Sequence, residues 1–528
     1  MIRLSGMDAM FLYGETPAVH MHVCAVIIVD PSTMPGGYSF DRIKSVMESR
    51  LHLVPQFRRR LATVPLGLHH PVWVDDKDFD LDYHVRRIGC PAPGGPEEVG
   101  DIAADVAGRP LDRSKPLWEF WVVEGLANGN VAIIGKMHHS TIDGVSGANL
   151  MMEVLDLEPD PKDKPQSPEM FKPESVPSEW RLLGEALGEV VRHPLRIAKL
   201  VPSTVGTIAS FVGARRSHET PDSGMATPFT APTVNFNGPI TPHRKVAFID
   251  IPLDEIKALR RGVEGATVND VVMAVCSGAL RRYLIHRGEL PDKSLTAAVP
   301  VSVHADEVAG AGANQVSVLF STLYTDIEDP LERLRKIHNV NKGAKKEQKA
   351  IGASTLMGWT ELAAPITFSL AMRLASASRI SDRVPPAFNL IISNVPGPPI
   401  PLYFCGARLG NLYPLGPILA GLGLNVTVLS NMGQMNFGFI ACRELMPDLW
   451  DLAHAIPESV AELEKAVTEA VNGSMPGSGT TKTKPATTIA AKKAPARKAA
   501  TRSTARKKAS PNMSATKKET AKKKAPRR

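Results

Sequence analysis

The sequence predicts an α/β (α+β) protein of more than one domain, with mixed sheets flanked by helices and a disordered basic C-terminal tail, from three features. Runs of β-branched and apolar residues suited to strands alternate with segments whose apolar residues recur at helical spacing. Residues 131–139, for example, are followed by a stretch carrying Ala148, Met151, Met152 and Leu155. With 528 residues and 43% apolar content, the chain can bury more than one core. Its charge is also divided. The net charge is +8, but from Ser474 onward 17 Lys and Arg face one acidic residue, Glu519, whereas the preceding body holds 45 Lys and Arg against 53 Asp and Glu. The body is mildly acidic, and the Lys, Ala, Pro and Thr of the tail offer almost nothing to pack. Positive charge at that density suits the phosphates of nucleic acid or an anionic lipid surface.

Taken in order, the chain opens with a short helical or loop segment and a strand over residues 23–29. VPQFRRRL places Arg58, Arg59 and Arg60 on a solvated basic helix face or against an acidic ligand. An extended stretch around residues 71–74 precedes FDLDYHVRRI, whose alternation predicts a half-buried strand over 79–88. A further strand runs through Trp118 and Trp121, read as core, to Asn128-Gly129, a hairpin signal that turns the chain antiparallel into the next strand. Residues 158–177 form a proline-rich, charged linker. Pro194 and Pro202 then divide 178–216 into short helical pieces. Trp180, Leu183, Leu187, Val190 and Val191 share one helical face with basic residues beside it, which fits a helical hairpin packed on the protein or a helix lying on a lipid surface.

The second half reads as a strand over 245–251, a helix over 253–261 and a longer helix over 266–288, with Thr267 or Asn269 as its cap and Asp270 in its first turn. Strands over 295–304 and 310–324 flank a small-residue loop, and a helix over 330–362 is strongly basic from Lys342 to Lys349. SNVPGP ends a strand in a firm turn, which reads as architecture closing the second half against the first. Strands over 424–430 and 435–442 and a helix over 446–471 complete the fold.

Cys24, Cys90, Cys276, Cys405 and Cys442 are widely spaced and form no CxxC pair, which points to a reducing compartment. Asp8 and Glu15 interrupt the apolar N-terminus, so it reads as neither signal peptide nor membrane span. Pro414, Pro417 and Asn425 break the longest apolar stretch. The expectation is a cytoplasmic protein, soluble or bound to a surface. HExxH, P-loop and Rossmann glycine patterns do not occur, which leaves metalloenzyme and nucleotide-hydrolysing readings without a foothold.

The chemistry concentrates in KMHHSTIDG. Neighbouring side chains of a strand point to opposite faces, so His138 and His139 cannot both look into one cavity. One should be buried and one should work. A histidine facing the positive end of the following helix is disfavoured as imidazolium, stays neutral near pH 7 and can accept a proton. The plainer alternative makes Asp143 a helix cap and both histidines satisfied core residues.

HHSTIDG fits the HHxxxDG pattern of the CoA-dependent acyltransferase superfamily. Together with LSGMDAMFLYGET, VPQFRRRL, the PLW of residues 116–118, the ND of 269–270, the block from Asn314 to Ser317 and SNVPGP, it makes the chain resemble bacterial wax ester synthase/diacylglycerol acyltransferases over roughly residues 1–470. Two positions depart from the family: Ala313 stands where glycine is usual, and His243-Arg244 where an arginine pair is frequent. The resemblance implies two acyltransferase-like domains, 1–157 and 242–473, joined by a crossover over 158–241, with the tail at 474–528 and a central channel reaching the histidine from both sides. It implies transfer of a long-chain acyl group from acyl-CoA to diacylglycerol or a fatty alcohol, giving triacylglycerol or a wax ester, with no cofactor beyond acyl-CoA as co-substrate and no metal.

By the same resemblance His139 is the general base and His138 its structural neighbour. Asp143 organises the loop through an ion pair with an arginine, and Gly144 leaves space beside the base. Asn269, Asp270, Asn314 and Ser317 are substrate-binding candidates. The lysines of 342–349 read from their charge as a solvated face or, near the domain junction, as a contact for the CoA phosphates. The implied location is peripheral, at the inner membrane or lipid droplets. Competing expectations are a catalytically idle acyltransferase fold tethered to membrane or DNA by its tail, and an acyltransferase for another alcohol or an amine.

Overall fold

The strand-type runs assemble into two six-stranded sheets and one small sheet, in a computed structural model that describes residues 2–141, 153–159, 173, 177–188, 224–302, 316–351 and 385–473. The first half runs β1 (Ile2–Arg3), α1 (Gly6–Tyr13), β2 (His22–Asp30), α2 (Phe40–Arg50), β3 (Arg59–Ala62), β4 (Val72–Asp75), α3 (Leu81–His84), β5 (Val85–Gly89), α4 (Pro96–Gly108), β6 (Trp118–Glu124) and β7 (Val131–His138). The second runs β8 (Arg244–Pro252), α5 (Leu253–Leu259), α6 (Val268–His286), β9 (Thr296–Ser302), β10 (Val316–Thr322), α7 (Pro330–Ile351), β11 (Leu390–Pro396), β12 (Tyr403–Phe404), β13 (Ala407–Leu415), β14 (Leu424–Asn431), β15 (Gln434–Cys442) and α8 (Leu449–Gly473).

The first sheet has the order β12-β13-β2-β7-β6-β5, antiparallel except for β5 beside β6. As the Asn128-Gly129 signal predicts, β6 and β7 pair antiparallel. Strands β12 and β13 come from late in the chain: after β11 the polypeptide leaves the second sheet and adds itself to the edge of the first. The SNVPGP turn stands where that departure begins. A Cβ on Gly397 would come within 2.2 Å of the Ser430 carbonyl oxygen, so only glycine lets the turn lie against β14.

The second sheet, β10-β9-β11-β14-β15-β8, carries α6, α7 and α8. Helix α6 begins at Thr267, whose side chain accepts from the Asp270 amide while Asp270 returns a bond to the Thr267 amide. Residues Val271–Leu280 are buried on every side, the pattern of a helix inside a core. Helix α8 approaches it closely at Gly278, where Ser459 Oγ donates to the Val275 carbonyl at 2.9 Å. Each buried apolar side chain here contributes about 1.5–3 kcal/mol.

The halves share a core. Cys24, Val26 and Ile134 of the first sheet pack with Val99 and Ala103 of α4 and with Val246, Phe248 and Ile440 of the second sheet. Helix α4 lies on β8 at Gly100, where a Cβ would sit 2.8 Å from the Val246 carbonyl oxygen. Tyr413 of β13 stacks on Phe248 and donates to Asp250 at 2.8 Å. Arg244 is buried, and its guanidinium donates to the Ala18 carbonyl of the first half at 2.7 Å and to Thr241 of its own.

Four expectations need correction. The half-buried strand over 79–88 is instead the short helix α3 followed by β5, because Asp80 accepts from the Asp82 amide and starts a turn. The basic helix face at 58–60 is the end of a 3-10 turn leading into β3. There Arg58 lies over Phe79, while Arg59 and Arg60 face Asp75 and Asp76. Trp118 is core, whereas Trp121 is half-buried under Arg86. In the helix over residues 179–188, Leu182 and Ala186 make the buried face, and Trp180 and Leu187 are 82% and 51% exposed.

A buried ion pair ties α2 to the segment that follows the HHSTIDG region: Arg50 donates to the Asp156 carboxylate and to the Val154 carbonyl, and the two side chains are only 6% and 5% exposed. Arg50→Met leaves Asp156 buried and unpaired and should destabilise the protein by about 3–5 kcal/mol in denaturant unfolding; a loss below about 1 kcal/mol would show that water reaches the carboxylate.

Candidate active site

Strand β7 delivers the histidines. Its side chains alternate, so Lys136 and His138 share one face with Cys24 and His22, their cross-strand partners on β2. The strand ends at His138, and His139–Thr141 form a 3-10 turn. His138 is 1% exposed, whereas His139 is half-buried, as strand alternation predicts.

Each histidine is held by named groups. The His138 amide donates to the Leu117 carbonyl of PLW at 3.0 Å, and the His139 amide to the Met21 carbonyl at 2.8 Å. The Ser140 amide donates to His138 Nδ1 at 3.1 Å, and Ser140 Oγ lies 2.7 Å from the same nitrogen. Thr141 Oγ1 donates to the His138 carbonyl. Nδ1 therefore carries no proton, and in the neutral ring Nε2 does, 3.3 Å from Glu15 Oε1. Phe11 of α1 stacks on His139 with centroids 4.0 Å apart and planes at 18°.

Charge is balanced tightly around this turn. Burial would raise the Glu15 carboxyl pKa, but the His138 contact, the Arg113 guanidinium at 2.7 Å and the nearby His22 ring hold it well below the ordinary range. Burial pushes the His139 imidazole down to about 4, its own backbone opposing the shift and His138 adding to it. His20 and His22 are lowered as well, first by burial and then by the Arg244 and Lys136 charges respectively. Lys136 is 1% exposed; its ammonium donates to the Val106 and Arg109 carbonyls at the C-terminal end of α4 and lies 3.3 Å from Glu119. A neutral imidazole beside a fixed carboxylate–histidine contact is equipped to take a proton from a substrate.

A cleft of about 920 Å³ opens at Glu15, lined among others by His20, Arg109, Arg113, Arg244 and Lys245; neither His138 nor His139 is in its wall. Its mixed charge comes from paired groups, including Arg113 with Glu15 and Lys245 with Asp101.

The other candidates fall differently. Asp143, Gly144 and Asn314 lie outside the described residues, and Ser317 is described only as a backbone position of β10 opposite Val301. Asp270 is 2% exposed, and both its oxygens are engaged: Oδ1 accepts from Asn341 at 2.7 Å, and Oδ2 faces His338 at 2.9 Å and the Thr267 amide at 2.9 Å. It clamps α6 to α7. Asn269 accepts from Asn394 of SNVPGP at 3.4 Å, so two separate motifs meet across α6 and β11. None of the contacts among the described residues joins this pair to the histidines. Lys342 is exposed on α7, and the side chains of the basic run from 345 onward are outside the described set.

Sequence reasoning overlooked Phe11, Glu15 and Ser140. A carboxylate closing the otherwise apolar FLYGE stretch was the one available signal for Glu15.

Comparison with known proteins fits this arrangement. Residues 4–272 match the wax ester synthase/diacylglycerol acyltransferase catalytic domain, and residues 312–464 match the WS/DGAT C-terminal domain. A Mycobacterium tuberculosis protein bearing the name diacylglycerol O-acyltransferase is 42% identical over 475 residues, covering 90% of this chain and 92% of that protein. A second from the same organism is 36% identical over 467 residues, covering 87% and 98%. The solved wax ester synthase/diacylglycerol acyltransferase of Marinobacter aquaeolei superposes with a TM-score of 0.63 at 29% identity, covering 89% of this chain and all of that one. The chain belongs to the wax ester synthase/diacylglycerol acyltransferase family.

Proposed function

We propose that this acyltransferase moves a long-chain acyl group from acyl-CoA to the hydroxyl of diacylglycerol, forming triacylglycerol, with His139 as general base. The observation that carries the reading is a half-buried imidazole, kept neutral by its surroundings, at the end of the strand that buries its neighbour. His139 Nδ1 is sealed inside the protein, which leaves Nε2 as the nitrogen that meets the acceptor. Nε2 takes the hydroxyl proton as the oxygen attacks the thioester carbonyl. When the tetrahedral adduct collapses, the imidazolium returns that proton to the departing CoA thiolate. The proton balance closes without a cofactor, a metal or an acyl-enzyme. Asp143 and Gly144 complete the motif, and a fatty alcohol in place of diacylglycerol would give a wax ester by the same steps.

A peripheral site of action on membrane or lipid-droplet surfaces is part of the proposal. No helix among the described residues is long and apolar enough to cross a membrane. The outward Trp180 and Leu187 of residues 179–188 offer apolar contact to a lipid surface, and the Lys-rich tail offers charge to anionic headgroups or nucleic acid.

His139→Ala should lower ester formation from labelled acyl-CoA and diacylglycerol by about 10²- to 10⁴-fold while the protein stays folded; an active His139→Ala beside a folded but inactive His138→Ala would reverse the roles. The acid limb of kcat/KM should fall well below the ordinary histidine value of 6.5, toward about 4, because His139 accepts its proton reluctantly. Circular dichroism must accompany that profile. His20, His22, His84 and His139 are all lowered in the folded state, so their contribution to stability is complete above pH 6.5 and is lost as the pH falls toward their folded values. A limb centred at or above 6.5 in folded enzyme would contradict the assignment. Trp180→Ala should weaken sedimentation with phospholipid vesicles containing diacylglycerol and leave turnover in detergent intact; unchanged sedimentation would remove that contact from the account.

A further inference from the structure

We infer that Glu15 is a positioning residue for acyl transfer: its carboxylate selects the His138 tautomer and, through it and through Met21, sets where the His139 ring stands. The inference rests on His139 being the base.

Two paths lead from Glu15 to His139, one through a charge contact with His138 and one through a chain of hydrogen bonds. In the first, Oε1 faces His138 Nε2 at 3.3 Å, while the opposite ring nitrogen accepts the Ser140 amide at 3.1 Å. Only the Nε2–H form satisfies both contacts. With the proton on Nδ1, the ring would set N–H against the Ser140 N–H and turn a lone pair toward the carboxylate. The Ser140 amide belongs to the residue after His139, so the ring of His138 fixes the peptide that leaves the working histidine. In the second path, Glu15 Oε1 accepts the Met21 amide at 3.0 Å, and the Met21 carbonyl accepts the His139 amide at 2.8 Å. The peptides on both sides of His139 thus refer to one carboxylate.

The carboxylate is itself fixed. Its side chain is 13% exposed, Arg113 holds Oε2 at 2.7 Å, and α1 enters from the other side with Phe11 stacked on His139. His22 does not compete for the role of donor, because its Nε2 lies 3.6 Å from Oε1 and accepts the Leu111 amide at 3.4 Å. Glu15 makes no contact with the His139 ring, so its removal should act through geometry, on turnover and not on substrate affinity. A displacement of the base near 1 Å is enough to cost about 10²-fold.

The test uses the full chain with Glu15→Gln, Glu15→Asp and His139→Ala. Glu15→Gln should lower kcat about 10²-fold with KM for acyl-CoA and diacylglycerol held within about twofold, and Glu15→Asp should recover part of the loss. In ¹⁵N-histidine spectra, assigned by the signal lost in His138→Ala, wild-type His138 should show the Nε2–H tautomer and Glu15→Gln a shift toward mixed tautomers. Near-normal kcat in Glu15→Gln, a loss confined to KM, or an Nδ1–H tautomer in the wild type would each overturn the inference. The tautomer measurement does not depend on turnover, so an active His139→Ala would remove the base assignment while leaving the Glu15–His138 contact to be judged by its own signal.

Discussion

A β-strand that ends between two histidines can bury one and expose the other, and the working geometry depends on that alternation. His138 on the buried face accepts the Ser140 amide at Nδ1, and its Nε2 lies 3.3 Å from Glu15 Oε1. It behaves as a pin in the protein interior. His139, on the first residue of the turn, is packed closely enough to remain neutral yet stays half-buried. A charged His139 in the same surroundings would face desolvation without a compensating carboxylate, since Glu15 is committed to His138, His22 and Arg113. The electrostatics therefore divide the pair as the strand does.

Rigidity for this arrangement comes from the way the halves are joined. Strand β2, which carries His22 opposite His138, lies between β7 and β13, and β13 arrives only after the chain has built most of the second sheet. Displacing the second half would disturb the strand next to the site. Gly100 lets α4 lie against the β8 backbone, Arg244 reaches the Ala18 carbonyl of the first half, and Tyr413 of β13 ties the first sheet to Asp250 of the second. The cleft behind Glu15 opens between these joints, with residues from both halves in its walls.

Most local structure was legible because its causes are local. Thr267 caps α6 as its type and place predict, Asn128-Gly129 turns β6 into β7, and the strand-type runs become strands. The candidate histidines were legible because two scarce residues stand in a fixed pattern. What escaped was set by distant partners: Asp270 reads as a cap, but the His338 and Asn341 that occupy its oxygens lie on another helix. Nothing around residues 403–415 announces that they extend the first sheet, and nothing in Arg50 names Asp156 as its partner. Glu15 belongs with these. Its residue type was visible, but its meaning depends on a strand that begins more than a hundred residues later.

The central claim is that His139 is a neutral, poorly basic imidazole in the resting enzyme, and its titration tests this most directly. With ¹⁵N-labelled histidine and the His139 signal identified by its loss in His139→Ala, the account predicts a ring that remains unprotonated from neutral pH to well below 6.5, with its midpoint near 4. A midpoint at or above 6.5 in the folded protein would contradict it.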